Sequence, residues 1–344
     1  MGSFTPYSKQ TFSAFVFKYF RNTDFISVLK QNFINEVFHF IVNSYELQVT
    51  HEYFYSADEY LLNVKNGVLD LRYLTLLPHS PKYHFNYTLK VNFLKKTATP
   101  KKFLQFLSQT FDFEEDRELC IESLAYTISN NTSAKKIWFL YGDSNTGKSV
   151  LLDLITYMVG ENNVSHIPLD KLENRFELSS AINARVNLVG EVQNMKIKET
   201  KTLKMITGGD KICIEPKYEA VYYSKLRLKF LLSGNQLPKL EGSAANDVGI
   251  KSRFRFLEFV HVIDEADRIG EYGKILYEEE GDDIFYLLVR KLKKFYERGC
   301  KFKETKMSMR LSEEFFGRTK NVENKELESQ SRITILRDGR TYLL

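Results

Sequence analysis

The eight residues from 142 to 149 have the types and the spacing needed to bind phosphate. They fit the pattern GxxxxGK[ST] without a mismatch, and they are Gly142, Asp143, Ser144, Asn145, Thr146, Gly147, Lys148 and Ser149. Glycine lets the backbone turn so that successive N–H groups point at one anion, and a lysine reaches the terminal phosphates. A hydroxyl in the last position can ligate Mg²⁺. The pattern therefore predicts a site for ATP and Mg²⁺, with Lys148 on the phosphates and Ser149 on the metal.

Two further polar residues follow hydrophobic runs that are typical of buried strands. Glu191 comes after the run 186–189, and Asn235 ends the run 228–235. A carboxylate can polarise the attacking water and help to hold hydrated Mg²⁺, while an amide can hydrogen-bond the water or the γ-phosphate. We interpret Glu191 as a catalytic and metal-binding acid and Asn235 as a catalytic amide.

Two arginines, Arg253 and Arg255, alternate with phenylalanines after this region. Because side chains alternate along a strand, both arginines are predicted to lie on one face. A guanidinium directed at the γ-phosphate of a neighbouring subunit would stabilise the charge of the transition state. Arg253 is our first candidate for this role, and Arg255 stays open as the alternative.

The elements that must position these residues alternate between strand-like and helical patterns from Lys135 to Val262. The phosphate-binding loop follows a buried-strand candidate, Ile137–Tyr141, and opens a helical run. Further strands are predicted at 186–189 and 226–232. Such alternation predicts an α/β fold with a mostly parallel sheet covered by helices on both faces.

The composition limits the remaining classes of function. Basic residues number 49 and acidic residues 44, a balance that is compatible with nucleic acid but does not require it. Three distant cysteines without a CxxC pair indicate a reduced, intracellular protein, and the histidines lack metal-site spacing. No apolar run is long enough to span a membrane, so we expect a soluble protein whose compartment stays open.

The order of these motifs resembles the superfamily 3 helicases, in particular the motor part of phage-, plasmid- and large-DNA-virus-type primase–helicases. The resemblance covers about Tyr60 to Phe259 and includes the passage from Asn63 to Leu71. Its most specific element is the stretch from Lys204 to Asp210, which stands between the run that ends in Glu191 and the run that ends in Asn235.

The resemblance implies an AAA+-like P-loop ATPase core and a homo-hexameric ring on single-stranded or forked DNA. It implies that ATP is hydrolysed at subunit interfaces, with Arg253 acting in trans. The segment 210–223 corresponds to a DNA-contacting hairpin, in which Lys217 would track the strand and Lys211 would support it. The resemblance leaves a separate primase or initiator open as a partner.

Three regions are predicted along the chain. Residues 1–130 form a mainly helical region with a hairpin near 60–71, where Asn66-Gly67 predicts a two-residue turn, and with a helical segment from about Lys102 to Ser129. Residues 131–263 form the ATPase core, and residues 264–344 form a helical segment with a polar tail.

This sequence also departs from the family in three places, and two other functions stay open. Glu215 stands where many relatives have a basic residue, Gly190 leaves Glu191 as the single carboxylate, and Ser252 replaces a second arginine. The alternatives are an AAA+ ATPase that remodels or loads proteins on DNA without unwinding it, and a nucleotide-binding remnant without hydrolysis. A P-loop kinase is disfavoured, because the stretch 204–210 would have no role there.

Overall fold

The computed structural model describes residues 9–27, 29–44, 51–95, 97–192, 195–216, 221–317, 334–337 and 340–343. Its first elements are the helices α1 (Lys9–Phe20) and α2 (Gln31–Asn43), which pack against each other. A short helix, α3 (His51–Tyr55), follows.

A three-stranded antiparallel sheet precedes the main sheet. Its strands are β1 (Leu61–Val64), β2 (Gly67–Asp70) and β3 (Thr75–Leu77). Val64 pairs with Gly67, so the turn of the first hairpin is one residue earlier than the Asn66-Gly67 turn predicted from the sequence. Position 67 instead requires glycine because β3 lies close to it. A Cβ there would lie 2.6 Å from the carbonyl oxygen of Leu77.

The main sheet has five strands, all parallel. The remaining strands of this part of the chain are β4 (Ile137–Gly142), β5 (Val164–Ser165), β6 (Val186–Val189), β7 (Lys196–Ile197), β8 (Lys211–Ile214), β9 (Tyr222–Lys225), β10 (Lys229–Gly234), β11 (Lys239–Leu240) and β12 (Phe254–Phe259). The main sheet has the order β12-β4-β10-β6-β5. Strand β10 is thus inserted between β4 and β6, although it follows both in the chain.

Helices cover both faces of this sheet. They are α4 (Lys101–Thr110), α5 (Glu114–Ile128), α6 (Lys148–Val159), α7 (Arg175–Ser179), α8 (Lys201–Gly208), α9 (Val248–Lys251), α10 (Tyr272–Glu297) and a helical stretch over 306–317. Along β4, Trp138 and Leu140 face the core shared with α5, α6 and α10, whereas Phe139 faces the core shared with α7 and α8. This arrangement confirms the predicted α/β fold with an AAA+-like P-loop core.

The helical segment predicted from about Lys102 to Ser129 is divided into two helices, α4 and α5. The chain leaves helical geometry between α4 and α5, where Phe111 is extended and its ring lies 5.2 Å from the ring of Phe259. Burying Phe111 against the end of β12 therefore competes with continuing the helix.

The three-stranded sheet and α4 share one apolar core with α10. Polar contacts reinforce this packing, because the backbone N–H of Asn92 donates to Asp282 (2.7 Å) and that of Phe103 donates to Glu280 (2.9 Å). Within the region where a polar tail was predicted, β13 (Thr334–Arg337) pairs with β14 (Arg340–Leu343) in an antiparallel hairpin.

Candidate nucleotide and nucleic-acid site

The phosphate-binding loop connects β4 to α6, as the sequence pattern predicts. Its backbone conformation depends on glycine at two positions. A Cβ on Gly142 would lie 2.1 Å from the carbonyl oxygen of Phe259, and Gly147 has φ of +91° where it caps α6. The backbone N–H of Ile263 donates to the carbonyl oxygen of Asn145 (2.9 Å), so the segment after β12 holds the loop in place.

The Lys148 ammonium lies inside this loop. Its Nζ donates to the carbonyl oxygens of Gly142 (2.8 Å) and Asp143, and to the hydroxyl of Thr146 (3.2 Å). Burial lowers the pKa of Lys148, and the nearby carboxylates of Asp143 and Glu191 oppose that shift. The Lys148 ammonium is therefore already in position for a nucleotide. Phosphate oxygens would replace the carbonyl and hydroxyl oxygens that now accept its hydrogen bonds.

Glu191 and Asn235 lie at the same end of the sheet as the loop, where the parallel strands end. Leu232 pairs with Val189 across β10 and β6, and Gly234 pairs with Tyr141 across β10 and β4. Asn235, the residue after β10, is therefore placed between the phosphate loop and Glu191. Glu191 itself has a positive φ of 51°, a strained conformation for a non-glycine residue and one that is frequent at functional sites.

These side chains suit a magnesium nucleotide. Ser149 is exposed in the first turn of α6, and Glu191 is exposed after β6. Protein-bound Mg²⁺ with a nucleotide usually takes one or two protein ligands and completes its shell with phosphates and water. In the described part of the chain, no three or more His, Cys, Asp and Glu side chains form a group that could hold a metal ion.

Arg253 lies at the opposite end of the sheet, where the parallel strands begin. Its carbonyl oxygen accepts from the N–H of Ile137 (2.8 Å) at the start of β4, whereas the phosphate loop begins at the end of β4. The strand between these points is about 17 Å long. The structure therefore does not bring Arg253 to the loop of its own subunit.

The guanidinium of Arg253 is held by two neighbouring helices. Its Nε donates to the hydroxyl of Thr207 at the end of α8 (2.9 Å), and Nη1 donates to the carbonyl oxygen of Gly249 in α9. Burial lowers the pKa of Arg253, while Asp247 and Asp210 oppose the shift. The alternative arginine, Arg255, is 18% exposed and forms an ion pair with Glu304 (2.7 Å).

A network that the sequence analysis missed joins α8 to α9 beside Arg253. Asp247 caps α9 and accepts from Thr200 (2.7 Å), and it forms an ion pair with Lys204. Burial disfavours the charged Asp247 carboxyl, but the hydrogen bonds from Lys204, Thr200 and the Ile250 N–H outweigh burial and lower its pKa to about 2. Two of these partners lie 43 residues or more from Asp247 in the chain, so no local pattern could have revealed the network.

The predicted DNA-contacting segment forms the antiparallel hairpin β8–β9. Lys211 pairs with Lys225, and Cys213 pairs with Tyr223, so these residues share one face. Both lysines are exposed, and Tyr223 is 68% exposed. Lys217 lies outside the described residues.

Lys225 and Tyr223 were not among the predicted site residues. The sequence signal for these two residues was the alternation from Tyr222 to Lys225. It indicated a face shared with Lys211 only once the pairing register of the hairpin was known. Like charges directly opposite each other are unfavourable in a sheet. Together with an exposed aromatic ring, the lysine pair makes this face suitable for an anionic, stackable ligand.

Comparisons with known proteins agree with the resemblance. Residues 21–112 match a family described as D5 N terminal like, and residues 140–253 match a family of unknown function (DUF5906). A protein of Acanthamoeba polyphaga mimivirus, provisionally named helicase L207/L206, is 25% identical over 217 residues, which is 59% of this chain and 22% of that protein. A protein of the Sputnik virophage, provisionally named helicase V13, is 26% identical over 172 residues, which is 46% of this chain and 22% of that protein.

Solved structures of an NrS-1 C-terminal region are also similar to this chain. One apo structure has a TM-score of 0.49 at 20% identity and covers 66% of this chain and 53% of that chain. Another has a TM-score of 0.49 at 19% identity and covers 71% of this chain and 56% of that chain.

The family match and the viral relatives confirm the predicted resemblance to the motor part of phage- and virus-type primase–helicases. The matched segment spans about a fifth of the length of the curated relatives. In the described parts of this chain, no helix combines the length and the apolar character that crossing a membrane requires.

Proposed function

We propose that this chain is an ATP-dependent DNA helicase of superfamily 3 type that acts as a homo-hexameric ring and translocates on single-stranded DNA. One observation carries the proposal. Four proposed site residues lie where the parallel strands end, namely Lys148, Ser149, Glu191 and Asn235. Arg253 lies at the other end, where β4 and β12 begin. This separation supports the proposal that Arg253 acts on the nucleotide of a neighbouring subunit.

These positions support a mechanism of ATP hydrolysis. Lys148 would bind the β- and γ-phosphates, and Ser149 and Glu191 would hold Mg²⁺, which would neutralise phosphate charge. Glu191 also polarises the attacking water, and Asn235 hydrogen-bonds it or the γ-phosphate. The charge that develops on the transferred phosphoryl group is stabilised by Arg253 of the neighbouring subunit.

Single-stranded DNA binds the exposed face of the β8–β9 hairpin. Lys211 and Lys225 contact phosphates, and Tyr223 stacks on a base, an arrangement that gives affinity without sequence preference. Lys217, in the segment that joins the two strands, is our proposed strand-tracking residue.

The arginine and the hairpin are connected through α8. Thr207 near the end of α8 accepts a hydrogen bond from Arg253, and β8 begins three residues after α8 ends. We propose that Arg253 gives up its hydrogen bond to Thr207 when it turns towards a neighbour's γ-phosphate. The nucleotide at one interface therefore changes what holds α8, and with it the hairpin on the DNA.

The proposal is tested by strand displacement on a forked DNA substrate. We expect the purified chain to separate the strands in the presence of ATP and Mg²⁺, and Lys148→Ala to abolish the activity. A ring that hydrolyses ATP on DNA but separates no strands would instead be an ATPase that remodels or loads proteins on DNA.

A further inference from the structure

A small polar cavity lies between the end of α3, the residues 84–87 and the segment 182–185 that leads into β6. Its volume is about 30 Å³, which is room for about two waters. Two arginines line it, Arg185 and Arg227, and so do the polar side chains of His84, Asn86, Asn130 and Asn183. Among the described residues that line the cavity there is no aspartate or glutamate. We call this cavity the arginine pocket.

Arg185 is buried and held in one position. Its side chain is part of a residue that is 6% exposed, and the centre of its guanidinium lies 3.6 Å from the centre of the Tyr87 ring. Nη2 donates to the carbonyl oxygens of Ile128 (3.3 Å) and Ser129 (3.1 Å) at the end of α5. Within the described part of the chain Nη1 has no partner, and it is not one of the fully enclosed atoms. This nitrogen is therefore still accessible to a ligand.

Arg227 places a second guanidinium at the same cavity. It is half-buried, and its Nη2 donates to the carbonyl oxygens of Tyr55 and Ala57 (3.0 Å), which fixes its orientation. Its Nη1 has no partner among the residues that the structure describes, and it too is not enclosed. Both arginines thus bond to neutral carbonyl groups, and their positive charges are not matched by a carboxylate in the lining.

Lys229 adds a third cation behind the arginine pocket. It is 3% exposed, burial lowers its pKa, and the charges of Arg185 and Arg227 lower that pKa further. Burial also lowers the pKa of both arginines. The charge of Glu59 opposes these shifts for Lys229 and Arg227, but Glu59 does not line the pocket. Positive charge therefore accumulates where water is largely excluded, and an anion is the ligand that offsets it.

The size and the donors of the arginine pocket limit which anion fits. Asn86 Nδ2 donates to Asn183 Oδ1 (3.3 Å), which leaves the Nδ2 of Asn183 as a further donor. Arginine matches phosphate geometrically and binds it through several charge-assisted hydrogen bonds. A phosphate inside a continuous strand is flanked by sugars on both sides, so a space of this size does not admit it. A phosphate with a free end presents its oxygens alone and carries more charge.

We propose that the arginine pocket binds one phosphate group with a free end, either inorganic phosphate or the terminal phosphate of a nucleic-acid strand. Nη1 of Arg185 and Nη1 of Arg227 donate to its oxygens. Arg185 directly precedes β6, so the pocket lies at the other end of the parallel strands from the phosphate-binding loop. The proposal therefore does not depend on the proposed function.

The test is isothermal titration calorimetry of inorganic phosphate into the full chain that carries Lys148→Ala, which removes the lysine of the phosphate-binding loop. We expect saturable binding at a single site. Adding Arg227→Gln should weaken it by about tenfold or more, the loss expected for hydrogen bonds to a charged group. Arg290→Gln is the matched control, since it removes an exposed arginine of α10 outside the pocket, and it should bind within about twofold of the parent chain.

The source of the phosphate is distinguished by competition with a short oligothymidylate that carries either a 5′-phosphate or a 5′-hydroxyl. Displacement of inorganic phosphate by the phosphorylated strand alone would support a nucleic-acid end as the ligand. Displacement by neither strand would support free phosphate. Displacement by both strands to the same extent would show that internal phosphates enter the pocket, and it would overturn the proposal of a free end.

A second variant separates loss of binding from misfolding. Asn183→Asp keeps the shape of the side chain but places a carboxylate beside the two arginines. We expect it to lose phosphate binding and to melt at the same temperature as the unchanged chain or at a higher one, because it supplies the missing negative charge. Phosphate binding that survives in Asn183→Asp would overturn the proposal. So would equal binding of acetate, or no binding of phosphate to the parent chain.

Discussion

Arg253 and Gly142 lie at opposite ends of two neighbouring parallel strands. The carbonyl oxygen of Arg253 accepts from Ile137 at the start of β4, and Gly142 ends β4 opposite Phe259 of β12. One subunit therefore presents its phosphate loop where the parallel strands end and its arginine where they begin. Closed rings of identical subunits join two such unlike surfaces at every interface.

This separation predicts complementation between two inactive variants. We expect Lys148→Ala and Arg253→Ala each to lose ATPase activity by at least about a hundredfold. When the two proteins are mixed and allowed to exchange subunits, activity should return. In a mixed ring, some interfaces combine an intact Lys148 from one subunit with an intact Arg253 from the other.

An arginine that acted within its own subunit, or that served only folding, would give no recovery in the mixture. Arg255→Ala is the matched control for loss of a guanidinium. Because Arg255 is paired with Glu304, its removal should lower the thermal stability but leave most of the ATPase activity.

The hydrogen bond between Arg253 and Thr207 predicts a variant in which DNA no longer stimulates ATP hydrolysis. Thr207→Val keeps the shape of the side chain but removes the hydroxyl that accepts from Arg253 Nε. We expect the ratio of DNA-stimulated to basal ATPase rate to fall towards one. Thr207→Ser keeps the hydroxyl and should keep the ratio, and an unchanged ratio in Thr207→Val would contradict the coupling through α8.

The hairpin face predicts two different effects on DNA binding. Lys225→Ala removes a phosphate contact, so the slope of log affinity against log salt should become shallower by about 0.7. Tyr223→Ala removes a stacking surface, so the affinity should fall by about 1–3 kcal/mol with the slope unchanged. Anisotropy titrations with labelled single-stranded DNA at several salt concentrations measure both.

Lys301→Ala serves as the control, because Lys301 is exposed outside the hairpin. If this control changes the slope as much as Lys225→Ala does, the contact is not specific to the hairpin. Lys211→Ala and Lys217→Ala are expected to behave like Lys225→Ala.

Asp247 predicts a pH dependence of stability. Its pKa is about 2 in the folded protein, against 3.8 for the free group, so it stabilises the fold above about pH 4 and loses that contribution towards pH 2. The shift corresponds to about 2 kcal/mol. We expect Asp247→Asn to lower the free energy of unfolding by about that amount at pH 7, measured by urea denaturation.

The difference between Asp247→Asn and the unchanged chain should shrink as the pH falls below about 4, because the native carboxyl then becomes protonated as well. A difference that stays constant down to pH 3 would show that the carboxylate charge is not what joins α8 to α9. Asp170→Asn should show little difference at either pH.

Local patterns predicted the parts of the site that depend on local geometry. The loop from Gly142 to Ser149 is recognisable because its turn and its helix start need particular residues at fixed positions. The strand at 186–189 also lies where its apolar residues predict it. Strand β10 begins at Lys229 rather than at Leu226, since Arg227 instead donates to the carbonyl oxygens of Tyr55 and Ala57.

Features set by distant contacts were not available from the sequence. The position of β10 between β4 and β6 places Asn235 beside the loop, and no local pattern encodes this strand order. Phe111, at the break between α4 and α5, packs on the distant Phe259. The hairpin register is what places Lys225 and Tyr223 on the same face as Lys211.

We propose that this chain is a DNA-driven ATPase motor, a claim that its ATPase rate with and without single-stranded DNA decides. We expect DNA to raise the rate several-fold, and Lys148→Ala to abolish hydrolysis in both conditions. A folded, oligomeric protein that hydrolyses ATP at the same rate with and without DNA would contradict the claim.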